Sequence, residues 1–311
     1  MSVGVIGSPS IFEALEPLLE VYRKKYGLIL WDNNEAIPNK SELLEFANKT
    51  EAILLVGDRR RAPRTVLDAP IITNDNAQPI PIAWLPNVST EALSSFAQAA
   101  AKVHKRGDIK KSTVALLGQW QPRFLDLTDR IERMLQKTDA TISTERWTAD
   151  YMVREDLMEN LQQGLGLSIY VGHGRAIGWT GYHGTRIEHF PLKNPQPIGA
   201  MLSLSCVTAS RRRTGLSFAE GLALRGMCAA SFGAVVETYH TDNARWSMNI
   251  CNTLAKGVPQ TIGELIINSL PSSMEAITPY RLMGDPMAPL FDAREDIKDF
   301  SQIKELNYVT T

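Results

Sequence analysis

The sequence has little cysteine, no long apolar run and almost no net charge. Its three cysteines, Cys206, Cys228 and Cys251, cannot form a disulfide framework, and they suit a reducing compartment. No apolar run approaches the ~20 residues of a membrane span, so we expect no membrane association. The net charge of −1 gives no electrostatic bias toward nucleic acid, so we expect no nucleic-acid partner.

The N-terminus also lacks the features of a secretory signal. Residues 1–7 (MSVGVIG) contain neither a basic segment nor a long apolar segment, and they are typical of a first β-strand. With 44% apolar and 22% charged residues, the composition is that of a soluble globular protein. We therefore expect a cytoplasmic protein.

Short apolar runs alternate with helical stretches, a pattern typical of parallel βα units. Strands are predicted over residues 3–6, 28–31, 53–56, 80–85, 113–117, 141–146, 167–171, 200–205 and 234–237. Helices are predicted over residues 11–26, 41–48, 90–104, 124–136, 155–163 and 218–230. We expect two units, a smaller α/β subdomain over residues 1–106 and a second domain over residues 107–311.

Two of these strands end at side chains that can do chemistry. Strand 167–171 is followed by His173 between two glycines, and strand 200–205 is followed by Cys206. If the strands are neighbours in a parallel sheet, both residues emerge at the same edge, where ligands of α/β sheets gather. Cysteine and histidine in that position predict a cysteine nucleophile site. The alternatives are a loop histidine without a role and a buried cysteine.

The surroundings of the three cysteines differ. Cys228 falls inside a predicted helix and Cys251 in another helical stretch, so both fit buried structural cysteines. Cys206 is followed by a polar segment that includes arginines 211–213, and cationic groups beside a thiol favour its reactive thiolate form. A zinc site formed by His173, His183, His189 and Cys206 is a weaker alternative, because the spacing matches no compact zinc pattern.

At this point the motifs resemble those of a known family, the gingipain family of cysteine peptidases. Residues 170–174 (YVGHG), Trp179 and residues 182–185 (YHGT) resemble its histidine segment, and residues 204–207 (LSCV) with 217–222 (SFAEGL) resemble its nucleophile segment. Further similar segments occur in colinear order along most of the chain, at residues 53–58 (ILLVGD), 80–86 and 284–286 (GDP).

The resemblance implies a caspase-like three-layer α/β/α domain with a mostly parallel sheet, preceded by the smaller subdomain. It implies an endopeptidase in which Cys206 is the nucleophile and His173 protonates the leaving amine. The backbone N–H groups of Gly174 and Cys206 would then form the oxyanion hole, where negative charge develops in the transition state. The expected partner is a protein or peptide substrate, and no cofactor is needed.

The resemblance also suggests a substrate preference. Asp75 falls near a family position where an acid lines the pocket for a basic P1 side chain, and Trp246 falls near an aromatic residue that walls it. A carboxylate and an aromatic face suit an arginine. The expectation is cleavage after Arg, with Lys as the second choice. Cleavage in the chain itself at arginines 211–213 is a related hypothesis, against the simpler interpretation of a solvated loop.

Two features of the family pattern find no clear counterpart in the sequence. The carboxylate that orients the histidine is not evident, and Asp58 and Asp68 are only candidates. The large insertions of secreted members are missing, so the chain resembles an intracellular relative whose activity a regulatory protein partner would control.

Two further functions compete with the peptidase. One is a caspase-like scaffold or binding module with weak or no catalysis, which an active-site probe on Cys206 would distinguish. The other is a flavodoxin-like nucleotide binder, but residues 7–10 (GSPS) lack the glycine-rich fingerprint and the Walker A motif.

Overall fold

The fold is described from a computed structural model, which covers residues 1–34, 36–106, 113–137, 142–192, 194–257 and 259–291. Its strands, in chain order, are β1 (Ser2–Gly7), β2 (Gly27–Asp32), β3 (Ala52–Asp58), β4 (Ile71–Thr73), β5 (Pro79–Asn87), β6 (Thr113–Gly118), β7 (Ser143–Thr148), β8 (Leu167–Val171), β9 (Gly174–Arg175), β10 (Gly178–Trp179), β11 (Thr185–Arg186), β12 (Ile198–Leu204), β13 (Cys228–Ala234) and β14 (Tyr280–Gly284).

The helices alternate with these strands. They are α1 (Pro9–Lys25), α2 (Lys40–Ala47), α3 (Pro63–Val66), α4 (Thr90–Lys105), α5 (Pro122–Gln136), α6 (Arg154–Asn160), α7 (Gly181–Gly184), α8 (Phe218–Leu224), α9 (His240–Lys256), α10 (Ile262–Asn268) and α11 (Met274–Ile277). No helix in the described ranges is long and apolar enough to cross a membrane.

Most of the strands form one large, mostly parallel sheet. Its order is β2-β1-β3-β5-β14-β13-β12-β8-β6-β7, and β4 adds to β5 as an antiparallel hairpin. Strand β14 lies at the centre, between β5 and β13, and runs antiparallel to β13. Strands β13, β12, β8, β6 and β7 are parallel to one another, and so are β5, β3, β1 and β2. The carbonyl of Arg59, just after β3, accepts a hydrogen bond from Arg211, which follows β12, so both sets of strands end at one edge, called here the carboxyl edge; the opposite edge is the amino edge.

Helices cover both faces of this sheet, as expected for strands whose residues are apolar on alternate sides. In β12, Leu202 and Leu204 join a core that runs the full width of one face, where α1, α5 and α9 pack. Met201 points to the other face, into a separate core under α6 and α8. The layers are therefore helix, sheet and helix, which confirms the predicted caspase-like α/β class.

The two predicted units share this sheet and its larger core. Strands β1, β2, β3 and β5 come from residues 1–106, and β14, from the later segment, pairs directly with β5. The core on one face includes side chains from both segments, such as Leu54 and Leu202. The division at residue 106 stays a prediction.

The sequence pattern fails at one pair of elements. A helix was predicted over residues 218–230 and a strand over 234–237, but α8 ends at Leu224 and the strand occupies Cys228–Ala234. The helix stops because Gly226 adopts φ +67°, a conformation that favours glycine. The small residues of β13 resemble a helix in sequence, yet all seven are buried in the sheet. Cys228 therefore lies in a strand, not in a helix.

The other predicted elements are present with small shifts at their ends. The predicted strand 141–146 corresponds to β7, while Thr141 itself lies outside the described residues. Strand β14 and most of α9 were not predicted as elements.

Candidate active site

The strand register places the two predicted catalytic residues side by side. Strands β8 and β12 are parallel neighbours, and Val171 pairs with Leu204 at their last rung. His173 and Cys206 each follow two residues after that pair. They therefore leave the sheet at adjacent points of the carboxyl edge, as the sequence predicted.

Gly174 brings the backbone after His173 against the turn of residues 206–209, called here the nucleophile turn because Cys206 is the candidate nucleophile. A Cβ atom added at Gly174 would lie 2.4 Å from the carbonyl oxygen of Cys206 and 2.6 Å from Oγ of Ser205. Only a glycine allows this approach, because any side chain would meet backbone atoms. In the described part of the chain, no oxygen accepts a hydrogen bond from the N–H of Cys206. That donor is available to an incoming carbonyl group.

The nucleophile turn has an unusual backbone. Val207, directly after Cys206, has φ 51°, a conformation that is strained for a β-branched residue. Two hydrogen bonds to the end of β13 hold the turn, from Val207 N to Val236 O at 3.2 Å and from Ala209 N to Ala234 O at 2.8 Å. Such strain occurs mainly where surrounding structure enforces it, commonly at functional sites.

The Cys206 thiol contacts the loop between β13 and α9. The backbone N–H of Thr238 donates to Sγ at 3.4 Å, and Sγ lies 3.4 Å from the Thr238 carbonyl oxygen. The Thr238 hydroxyl donates in turn to Asn243, which also accepts a hydrogen bond from Tyr280. The sulfur is half-buried, so it is positioned by this loop yet reachable from solvent.

The backbone on either side of His173 is fixed by several contacts. Its N–H donates to Oε1 of Gln119 at 2.8 Å, and its carbonyl accepts from the Tyr170 hydroxyl at 3.0 Å. The ring meets Phe124 edge-on, with centroids 5.3 Å apart. The side chain is nevertheless exposed, so it can meet a substrate.

Cations, rather than a carboxylate, surround the His173 ring. Nη2 of Arg123 lies 2.7 Å from Nε2 of His173, and because a guanidinium only donates, Nε2 must accept. Burial, followed by the charges of Arg123 and His240, lowers the pKa of His173 below its usual value. The resting histidine is therefore neutral, with its proton on Nδ1.

The two candidates for an orienting carboxylate lie elsewhere. Asp58 ends β3, which four strands separate from β8, and it pairs with Arg60. Asp68 is an exposed residue in the same half of the sheet. Neither reaches His173, whose orientation instead depends on Gln119 and Phe124.

The two residues predicted to line the P1 pocket are not brought to Cys206. Asp75 sits in the β4–β5 hairpin at the amino edge, where its carboxylate accepts from Asn48 at 2.6 Å. Trp246 is fully buried inside α9, packs against Phe232 and donates to the carbonyl of Ala276 at 2.8 Å. A residue that precedes a parallel strand lies at the edge opposite to the strand's end, which explains the position of Asp75.

The arginines after Cys206 are largely engaged with carboxylates. Arg211 forms a bidentate pair with the buried Glu220, at 2.8 and 2.6 Å, and Arg212 lies 3.3 Å from Glu237. Glu220 also accepts from Ser217 and Trp84, so the turn is tied to α8 and to the sheet. Two of the three charges expected to act on the thiol are thus neutralised by partners.

A cleft lies beside the nucleophile turn, between the segments that follow β3, β12 and β13. Its volume is about 580 Å³, and its walls include Arg64, Val207 and Glu237. It opens beside Val207, the residue that follows Cys206.

The zinc hypothesis has no geometric support. Within the described ranges, no three His, Cys, Asp or Glu side chains form a group that could hold a metal ion. His183 stacks on Trp120, and His189 accepts a hydrogen bond from the N–H of Arg186.

Several residues of this site were not identified from the sequence. Arg123, Phe124, Gln119, Thr238 and His240 all lie in segments that follow β6 or β13, the strands flanking β8 and β12. The sequence alone does not reveal the strand order. Had it shown that β6 and β13 flank β8 and β12, the rule that ligands gather at the carboxyl edge would have pointed to these five residues.

A mostly parallel sheet with helices on both faces, and with histidine and cysteine at the carboxyl ends of adjacent strands, is the arrangement of caspase-like cysteine peptidases. A model of peptidase family C25 matches residues 35–291. The chain belongs to this family, the gingipains, and is a cysteine-type peptidase. A search by sequence among curated proteins found no match.

Solved structures share the fold of this chain. The complex of the pro- and mature domains of Porphyromonas gingivalis RgpB is similar with a TM-score of 0.72 at 16% identity, covering 93% of this chain and 80% of that one. The Arg-specific cysteine proteinase gingipain R gives 0.73 at 17% identity, covering 93% and 78%.

A more distant similarity reaches the separase–securin complex of Saccharomyces cerevisiae. Its TM-score is 0.51 at 15% identity, covering 76% of this chain but 15% of that one. At these identities the comparison concerns the fold.

Proposed function

We propose that this chain hydrolyses peptide bonds with Cys206 as the nucleophile and His173 as the proton donor to the leaving amine. The observation that carries the proposal is the close approach of the two turns. Gly174, next to His173, touches the carbonyl of Cys206, and both residues follow a paired rung of β8 and β12.

The chemistry begins when the Cys206 thiol gives its proton to the neutral imidazole of His173 and its sulfur attacks the carbonyl carbon of the scissile bond. The carbonyl oxygen becomes negative, and the N–H groups of Gly174 and Cys206 are the expected donors to it. His173, once protonated, gives its proton to the departing amine, and a thioester remains. Water then attacks the thioester, releases the acid product and restores the thiol.

The contacts of the thiol suit the first step. The N–H of Thr238 donates to Sγ at 3.4 Å, and the thiol donates to the Thr238 carbonyl at 3.4 Å, so this loop fixes the position from which the sulfur attacks. Since Sγ is held by Thr238 rather than by the imidazole, His173 is free to serve the leaving group. The two residues act on opposite sides of the scissile bond.

The substrate is a polypeptide. The prediction of a basic P1 residue is supported by the fold that the chain shares with the Arg-specific gingipain R. Asp75 pairs with Asn48 and Trp246 is buried in α9, so their role in a P1 pocket stays a prediction, and a P1 library has to decide between basic and other residues.

Regulation by a protein partner fits the complexes known for related folds. RgpB has been solved with its pro-domain and separase with securin. A partner that covers the carboxyl edge of this chain would block Cys206. Cleavage at arginines 211–213 and a cytoplasmic location remain predictions; cleavage after Arg211 would require its buried pair with Glu220 to open.

The test is thiol labelling followed by intact mass measurement. A peptide library that scans P1, carried on a thiol-reactive warhead, should modify wild-type protein once and Cys206→Ala not at all. The other cysteines are internal controls: both are buried, and burial raises the pKa of Cys251 to about 11 and that of Cys228 further. His173→Ala should abolish cleavage of the matching fluorogenic substrate, by at least about 10³-fold.

One result would overturn the proposal. If no member of the library modifies Cys206 in folded protein, the chain is better described as a caspase-like binding module. Thermal unfolding of each variant establishes that loss of labelling does not come from loss of structure.

A further inference from the structure

Arg123 is the closest charged group to the candidate catalytic histidine. It occupies the first turn of α5, just after β6, and Nη2 lies 2.7 Å from Nε2 of His173. Its guanidinium carbon stands 4.6 Å from the centroid of the Phe124 ring, which is buried. The cation is thus held over an aromatic face, at the side of His173 away from β12.

No carboxylate of the described residues forms an ion pair with the Arg123 guanidinium. The nearby carboxylates of the β13–α9 segment are used otherwise, since Glu237 pairs with Arg212 and Asp242 with Arg245.

A second group that can carry positive charge lies on the same face. His240, the first residue of α9, meets the Phe124 ring edge-on with centroids 5.5 Å apart. Phe124 therefore separates His240 from His173, and Arg123 completes the cluster. Both Arg123 and His240 are exposed, so a ligand can reach them. The Arg123 guanidinium thus gives this exposed face a positive charge that can pair with an anion.

We propose that Arg123 binds a substrate carboxylate next to the scissile bond, so that the enzyme cleaves beside aspartate or glutamate. The inference rests on the proposed peptidase function of Cys206 and His173. A bidentate pair between guanidinium and carboxylate is the contact that this geometry favours. The carboxylate is a side chain of either the P1 or the P1′ residue, the two that flank the bond.

The same contact links recognition to catalysis. While Arg123 donates to Nε2, it occupies the lone pair that His173 needs in order to take up a proton. A substrate carboxylate withdraws the guanidinium from the ring, and its negative charge then favours the protonated imidazole. An acidic substrate should therefore improve kcat as well as KM, whereas a contact that served binding alone would change KM.

The experiment compares matched peptides on four proteins. The peptides carry Asp, Asn, Arg or Lys at P1, and the same four residues at P1′ in a second series, so the two series separate the two sources of the carboxylate. The proteins are wild type, Arg123→Gln, Arg123→Glu and Arg130→Gln. Arg130 is an exposed arginine further along α5 and serves as the matched control for loss of one charge.

For wild type and Arg130→Gln we expect kcat/KM for the Asp peptide to exceed that for the Asn peptide by about tenfold or more, in either the P1 or the P1′ series. Arg123→Gln should remove this ratio, and Arg123→Glu should reverse it in favour of Lys or Arg. Higher salt should reduce the wild-type ratio, because the charges are exposed. Thermal unfolding should be unchanged in both Arg123 variants, since the side chain lies at the surface.

Two results would overturn the inference, and they are distinguishable. If Arg or Lys peptides are cleaved faster than Asp peptides in both series by wild type, Arg123 does not select a carboxylate, and the peptidase proposal stands. If no peptide is cleaved and no warhead of either charge modifies Cys206, the peptidase proposal fails and this inference fails with it.

Discussion

The two edges of the central sheet each hold a histidine among polar groups, and the two settings are opposite. At the carboxyl edge His173 is exposed and faces the Arg123 guanidinium. At the amino edge the His104 side chain is fully buried, and its Nε2 lies 2.8 Å from the equally buried carboxylate of Asp285.

The buried histidine belongs to a network in which the acid is well satisfied. Asp285 accepts from the Tyr22 hydroxyl at 2.5 Å and from the N–H of Met287 at 2.7 Å, as well as meeting His104. Burial, followed by the charge of Asp285, raises the pKa of Tyr22 well above its usual value, so the tyrosine remains a donor.

The difference teaches how to separate stabilising residues from reactive ones in this fold. A buried acid whose oxygens are all engaged ties together α1, α4 and the end of β14, and it has no free position for a substrate. An exposed histidine without a carboxylate partner contributes little to folding and is open to chemistry. Proximity of histidine to polar groups is insufficient to identify a catalytic site.

The largest effect on stability is expected at the amino edge. Asp285→Ala removes the acceptor for three donors in a dry interior and should lower the free energy of unfolding by about 3–5 kcal/mol. Asp285→Asn keeps an acceptor oxygen and should cost less. Urea unfolding measures both. A loss in Asp285→Ala no larger than that of a surface variant would contradict the assigned role.

The next largest effect is expected at the carboxyl edge, where a substitution of Gly174 should lower the peptidase activity. Gly174→Ala places a Cβ 2.4 Å from the Cys206 carbonyl oxygen, so the nucleophile turn must shift, and kcat/KM should fall by about 10²-fold. Gly215→Ala is the matched control, because no atom lies within 4 Å of its added Cβ. Equal activity in the two variants would show that the approach at Gly174 is unimportant.

A smaller effect concerns the titration of His173 itself. Burial and the Arg123 charge disfavour the imidazolium, so its pKa should lie below the usual 6.5. Arg123→Gln removes a positive charge and should raise this pKa, extending the protonated form to higher pH. Ring resonances in Cys206→Ala protein report the midpoint, and His173→Gln identifies the signal. A midpoint that does not rise in the Arg123 variant would contradict the contact.

The smallest effect is expected for Asp75→Asn. The residue is exposed at the amino edge and pairs with Asn48, so stability should change by less than about 0.5 kcal/mol. Activity toward substrates with basic P1 residues should be unchanged. A selective loss with those substrates would restore the original role predicted for Asp75.

Local patterns in the sequence were sufficient for the centre of the site. Strands β8 and β12 are apolar on both faces and end at distinctive residues, so their adjacency in a parallel sheet brought His173 and Cys206 together. Asp75 was expected to line the P1 pocket, but it precedes β5, whereas His173 and Cys206 follow their strands, so it lies at the opposite edge of the sheet.

Other features depended on contacts between distant segments. Nothing local distinguishes Arg123 or Thr238 from other loop residues, and only the sheet order places them beside His173 and Cys206. The small residues of β13 suggested a helix because burial between two layers favours the same residues that helices accept. The antiparallel direction of β14 likewise follows from its neighbours.

The central position of β14 has a consequence for biosynthesis. A ribosome makes the strands on both sides of it first, and residues 280–284 must emerge before β5 and β13 are joined. The hydrogen bond from Tyr22 to Asp285 spans 263 residues of chain, a separation that slows folding. Cys206 therefore leaves the ribosome well before the sheet around it is complete. We therefore expect the site to become complete, and activity to appear, only after most of the chain has been made.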